Sequence, residues 1–204
     1  NMIIELKQTE KDLYSGKFII RREKAKIGKV SFEGSIGSMD IAIKGEFYGV
    51  DFSMQPKRRA REGFRPYKIS IGGTDFGSVY QTCTGGFLRK IEFIKMIKDK
   101  QVFEEYPIAF GKRGSKAPVF RDGYQIAEVD KNYVVYNDLH EYTIYAVDDE
   151  SAIVSIIFSL YSYANCCYKP GIKSTDSVSK TFYTTTNKKL KSKYDPAFVE
   201  RINK

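Results

Sequence analysis

Between Ser151 and Tyr168 the chain runs eighteen residues without a charge. Asp148-Asp149-Glu150 precedes the run and Lys169-Pro170-Gly171 stops it. Acids followed by Ser suit the positive end of a helix, and Pro-Gly suits its end. The pattern predicts a helix over 150–168 that is apolar on every side, and such a helix must be buried on every side. A bilayer and a protein interior both satisfy that. Eighteen residues fall short of the roughly 20 that span a bilayer, and four Ser, one Asn and two Cys dilute the run. Lys169 and Lys173 would anchor the spanning alternative. Against it, Ser151, Ser155, Ser159 and Ser162 recur at helical spacing and leave one face small. Strands can approach such a face closely, as in a barrel threaded by a helix.

The first 148 residues supply the strands. Short apolar runs include Phe18-Ile19-Ile20, the alternating Met39, Ile41 and Ile43, and Tyr67, Ile69 and Ile71. Turn signals separate them at Glu33-Gly34, Lys44-Gly45, Gly72-Gly73, Gly85-Gly86 and Asp122-Gly123. Gly28 marks a bulge or a close approach. Residues 87–98 fit both periods and are read as strand. Residues 124–129, 133–136 and 142–147 read as an antiparallel meander. About a dozen strands argue for a closed barrel, and a barrel of that size needs its lumen filled. The fold class is therefore mainly β: about twelve antiparallel strands (2–148) closed around a central, buried hydrophobic helix (150–168). Residues 169–204 form a basic tail of +6, nine cations minus three acids. The tail reads as loop over Ser174 to Thr186, with an edge strand near Phe182-Tyr183. Asp195-Pro196 opens a short helix to about Ile202 whose Phe198, Val199 and Ile202 dock on the barrel. All this fits one domain over 2–204, Asn1 being read as an expression-tag remnant.

Composition narrows the chemistry. With 34 Lys and Arg against 25 Asp and Glu the net charge is +9, which favours anionic partners. A single His, His140, argues against His-based metal sites and against catalytic triads elsewhere; it reads as a surface residue of a loop. Cys83 reads as a strand edge. Cys166 and Cys167 read as small apolar residues late in the helix, and three Cys make no disulfide framework. Met2-Ile3-Ile4 is followed at once by Glu5 and Lys7, which is no signal segment. The expectation is a cytoplasmic protein with peripheral contact at the inner membrane surface, no cofactor, no metal and no disulfide partner.

The layout resembles the tubby C-terminal-like superfamily, which takes in tubby domains, phospholipid scramblases and LURP-one-related proteins. The resemblance rests on Gln125 to Lys131, Glu141-Tyr142-Thr143-Ile144, Asp148 to Ser162, and Lys26-Ile27-Gly28-Lys29-Val30. It implies a twelve-stranded barrel around a helix. It implies phosphoinositide binding by basic residues, as in tubby domains, or calcium and lipid binding, as in scramblases. The scramblases' Pro-rich and Cys-rich N-terminal arms have no counterpart here. Asp148-Asp149-Glu150 serves as a helix start more readily than as a calcium loop.

One segment stands out as a binding candidate. Lys57-Arg58-Arg59-Ala60-Arg61-Glu62-Gly63-Phe64-Arg65-Pro66-Tyr67-Lys68 holds six cations and one acid, +5 in twelve residues. Pro56, Gly63 and Pro66 make it a loop, Arg suits phosphate, and Phe64 can enter a lipid interface. Lys57, Arg58, Arg59, Arg61, Arg65 and Lys68 are the expected anion-binding residues. Gly111-Lys112-Arg113-Gly114 reads as a hairpin loop. The reading is a non-enzymatic binding module for anionic ligands, phosphorylated lipid headgroups or an acidic membrane surface first. Nucleic-acid binding, or a purely structural or protein-interaction role, is the alternative.

Overall fold

The computed structural model describes residues 2–57, 63–85, 90–180 and 183–203. Nine strands follow one another as neighbours: β1 (Met2–Lys11), β2 (Ser15–Arg22), β3 (Ala25–Gly34), β4 (Ile41–Phe47), β5 (Val50–Pro56), β6 (Phe64–Ile71), β7 (Thr74–Thr84), β8 (Ile91–Lys98) and β9 (Gln101–Glu105). After β10 (Ile108–Ala109) come β11 (Ser115–Arg121), β12 (Tyr124–Lys131), β13 (Val134–Tyr136) and β14 (Glu141–Ala146). β11 pairs with β9 at one margin and with β12 at the other; β12 pairs with β14, and β14 with β1. The ring is thus closed by twelve antiparallel strands, with β10 as an extra pairing on β11. Closure removes the sheet edges that would otherwise invite association.

The two ends of the ring differ. Five connections at one end are two-residue turns, Glu23-Lys24, Tyr48-Gly49, Gly72-Gly73, Asp99-Lys100 and Asp122-Gly123, with positive φ at both residues of each. Such turns match the twist of the strands they join. Only Asp122-Gly123 and Gly72-Gly73 were announced by their residue types. Lys24 (φ 71°) and Lys100 (φ 72°) are side-chain-bearing residues in left-handed backbone. Replacing either by Gly removes that penalty but loosens the unfolded chain, so Lys24→Gly and Lys100→Gly should each stabilise by roughly 0.5–1 kcal/mol in urea unfolding. The opposite end carries longer connections, such as 35–40 between β3 and β4.

α1 (Asp149–Ser162) enters at the tight-turn end and runs through the ring. Asp148 caps it, its carboxylate accepting from the Ser151 amide at 2.7 Å. Glu150 is held by Lys98 (2.5 Å) and Arg121 (2.9 Å) from two different strands. Val154, Ile156, Ile157, Phe158 and Leu160 are fully buried. Tyr161 meets Tyr67 of β6 edge-on, and Tyr163 meets Phe18 of β2 and Phe32 of β3. On the small face, Ser155 and Ser159 turn their hydroxyls back to the carbonyls of Ser151 and Ser155. That satisfies each hydroxyl inside the helix and leaves a smooth surface for the wall. Among the described residues no helix is long and apolar enough to cross a membrane.

Three readings need correction. Lys44-Gly45 is no turn: β4 runs through it, and Gly45 is there because a Cβ would collide with the Lys29 carbonyl of β3. Gly28 does both things expected of it, lying at a register shift against β2 and tight against Glu46 of β4. The meander is also broken. β13 leaves the ring and pairs with β15 (Val178–Lys180), so β12 hydrogen-bonds directly to β14. In the tail the strand therefore falls at β15; Phe182 lies outside the described residues. Asp195 accepts from the Ala197 amide ahead of α3 (Phe198–Ile202), and Phe198 is buried. α2 (Lys188–Lys191) was not read from the sequence; Asn187 caps it.

Candidate functional site at the loop end of the barrel

The far end of α1 lies among the long connections, and its last turn widens. Tyr163 to Cys167 form a π-helical turn that ends when the Tyr168 amide bonds the Tyr163 carbonyl. Wide turns of this kind often mark functional sites. Beside it, at the mouth of the ring, lies a half-open cavity of about 350 Å³. Apolar groups of β8, β11, β12 and β14 line it, among them Ile94, Ala117, Val129 and Tyr142, with Ser162 and Cys167 from the helix side.

Glu105 faces into this cavity. It shares the inward register of Phe103 on β9, a position where the alternation demands an apolar side chain. The residue is 3% exposed. Ser162 donates to its Oε1 at 3.4 Å, while Oε2 is buried without a partner. Burial pushes its pKa from 4.5 up to about 8, the Ser162 hydrogen bond opposing. At neutral pH Glu105 is a neutral acid and a hydrogen-bond donor. Lys131 lines the same cavity with its ammonium 5.8 Å from the Tyr142 ring centre. Cys167 also lines it. Burial raises its thiol pKa, so it is no activated nucleophile.

The basic segment begins at the loop end and runs down β6 toward the tight-turn end. Arg58, Arg59 and Arg61 lie outside the described residues. The other three cations do not converge. Lys57 donates to the Ser78 hydroxyl at 2.7 Å, and Lys68 pairs with Asp75 at 3.3 Å on the outer wall. Arg65 turns toward the helix. A bulge between Phe64 and Tyr67 sets its φ at 47°, and its Nη1 donates to the Asn165 carbonyl at 3.2 Å. There the guanidinium satisfies a helix-end carbonyl and meets the negative end of the dipole. The Phe64 carbonyl accepts from Tyr161, while the Phe64 ring, 62% exposed, lies under the Arg65 guanidinium at 5.2 Å. The segment's stem is thus fixed to the helix end, with one aromatic ring presented to solvent.

Two expectations change here. Cys166 is exposed on the rim rather than buried. His140 is buried rather than on the surface, packed edge-on against Tyr163. The β13 excursion folds it inward: its amide donates to the Gln8 side chain, and its carbonyl accepts from the Gln8 amide. Asp138, paired with Lys11, sits 3.7 Å from the His140 Nε2. Burial works to raise the Asp138 pKa, but Lys11, Lys169 and His140 together hold it below the usual value. Desolvation, then Lys131, pushes His140 from 6.5 down to about 4, with Asp138 opposing. The folded pKa lies below the unfolded one, so stability is full above 6.5 and drains as pH falls toward 4. Between pH 7.5 and 5 the wild type should lose about 2 kcal/mol more than His140→Gln, read from urea midpoints.

Among the described residues, no three His, Cys, Asp or Glu gather as a metal site. No family model, curated protein or solved structure matches the chain.

Proposed function

We propose that this protein is a non-enzymatic binding module of the tubby C-terminal-like kind. It takes phosphorylated headgroups or an acidic membrane surface at the loop end of its barrel, as a peripheral cytoplasmic protein. The observation that carries the reading is Phe64. An exposed aromatic ring stands beside an Arg at the root of a +5 segment, on a stem tied to the central helix. Lys57 and Arg65 make no ion pair among the described residues, so their charge is open to an anion; Lys68 already has Asp75. A twelve-stranded barrel with a helix through it is the architecture that the tubby-like resemblance implies.

Sedimentation with vesicles tests it. The protein should pellet with vesicles containing phosphatidylserine or a phosphoinositide and not with neutral phosphatidylcholine vesicles. The combined variant Lys57→Ala, Arg58→Ala, Arg59→Ala, Arg61→Ala should lose at least tenfold in affinity, since each cation near an acidic surface is worth about 1 kcal/mol. Equal binding to neutral vesicles, or none to either, rejects the proposal. So does tighter, steeply salt-dependent retention of random RNA or DNA, the signature of phosphate-backbone binding.

A further inference from the structure

We propose that the cavity at the loop end of the barrel is a binding site for a single-chain carboxylate of the medium-chain fatty acid class. In this site the acyl chain lies against Ile94, Ala117 and Val129, and the headgroup is held by Lys131 and Glu105. Three observations carry this. First, the space, about 350 Å³, is at the small end of the range for organic ligands and too small for a two-chain lipid. Second, it holds an almost wholly buried carboxyl, the Glu105 Oε2, that makes no hydrogen bond. Natural interiors seldom leave such a group unused. Third, Lys131 reaches the cavity wall and makes no ion pair among the described residues.

Sign decides between an anionic and a cationic ligand. Up to about pH 8 Glu105 keeps its proton, so it offers a donor rather than a negative charge. An ammonium ligand would find a neutral acid and the repulsion of Lys131. A carboxylate finds a donor and a counter-charge, and a charge-assisted bond of that kind is short and strong. The other titratable groups facing the cavity do not reverse this. Tyr142 and Cys167 stay protonated, because burial raises both. Tyr161 does the same, and Cys166 is pushed up too. Glu92 is engaged by Lys90 at 2.8 Å and by Gln81 at 3.3 Å.

The site is independent of the membrane reading, and the experiment separates them. Calorimetric titration of the whole protein with decanoate at pH 7 should show one saturable site. Decyltrimethylammonium should not compete. Lys131→Gln should weaken decanoate at least tenfold. Glu105→Gln keeps a donor amide, so it should still bind at pH 7. It should, however, lose the wild type's fall in affinity, about tenfold per pH unit once Glu105 ionises beside the bound carboxylate. The four-fold loop variant named above should bind decanoate normally while losing vesicles. No saturable decanoate binding, tighter binding of the cationic amphiphile, or identical pH profiles for wild type and Glu105→Gln would each overturn the site. Ala117→Phe should fill the cavity and abolish binding with the melting temperature kept. If that variant does not fold, the wild-type ligand series and the Glu105→Gln profile still decide the matter.

Discussion

Phe158→Ala should cost about 3–5 kcal/mol of stability, the range for a large aromatic removed from a core. Phe158 is fully buried at the middle of α1 and belongs to the same apolar cluster as residues from all round the ring. A hole opened there cannot be collapsed cheaply. The wall is a hoop of hydrogen-bonded strands, and drawing it inward would break ladder bonds on both sides of the lesion. The cost should therefore lie at the upper part of that range. Phe64→Ala is the control: same residue type, exposed ring, and a change within about 0.5 kcal/mol. Urea unfolding of both variants checks the pair. A Phe158→Ala protein as stable as the wild type would mean that α1 does not fill the lumen.

The second large effect is read in alkali. Glu105 has a folded pKa of about 8 against 4.5 for the free side chain. The native state holds its proton through that interval while the unfolded state does not. The stability linked to that proton is complete below 4.5 and is lost as pH climbs through 8. Glu105→Gln removes this dependence. Measured against the variant, the wild type should lose about 4 kcal/mol between pH 5 and pH 9. This limb is opposite in sign to the one His140 contributes below 6.5, so the single variants should tilt the pH–stability profile in opposite directions. Parallel profiles for wild type and Glu105→Gln would show that the carboxyl is solvated in the native protein.

Much of the architecture was legible because two signals are unmistakable: an uncharged run stopped by Lys169-Pro170-Gly171, and alternation such as Ile41 and Ile43 on β4. What failed were positions where one residue type serves two ends. Gly45 looks like a turn residue, but glycine is equally the answer to a neighbouring strand that leaves no room for a Cβ. Glu23-Lys24 and Asp99-Lys100 look like ordinary polar strand residues, yet they make left-handed turns that glycine or asparagine usually occupies. The meander failed because length alone cannot say that β13 prefers a distant partner over its neighbours.

The candidate site was less legible still. The basic segment is visible as composition, and its root on the helix end is not, since the Arg65–Asn165 contact joins residues 100 apart. Glu105 did leave a trace. Val102-Phe103-Glu104-Glu105 puts an acid two residues after a buried Phe, on its face of the strand. In a strand of only five residues that reads as fraying. His140 left none: its burial depends on a hydrogen-bond pair with Gln8, at the other end of the strand list.

The order of manufacture has a consequence of its own. All twelve staves of the ring precede α1 in the chain, so on the ribosome they exist before the rod they must enclose. Until α1 emerges, the inner faces of Phe18, Phe32, Phe47 and Phe103 have nothing to cover them. The pairing that closes the ring, β14 on β1, joins opposite ends of the strand series, which makes it slow to form. A chain halted after β14 should therefore accumulate as aggregate rather than as a hollow cylinder. Nascent copies of this protein are a foreseeable customer for chaperones during the seconds before α1 emerges.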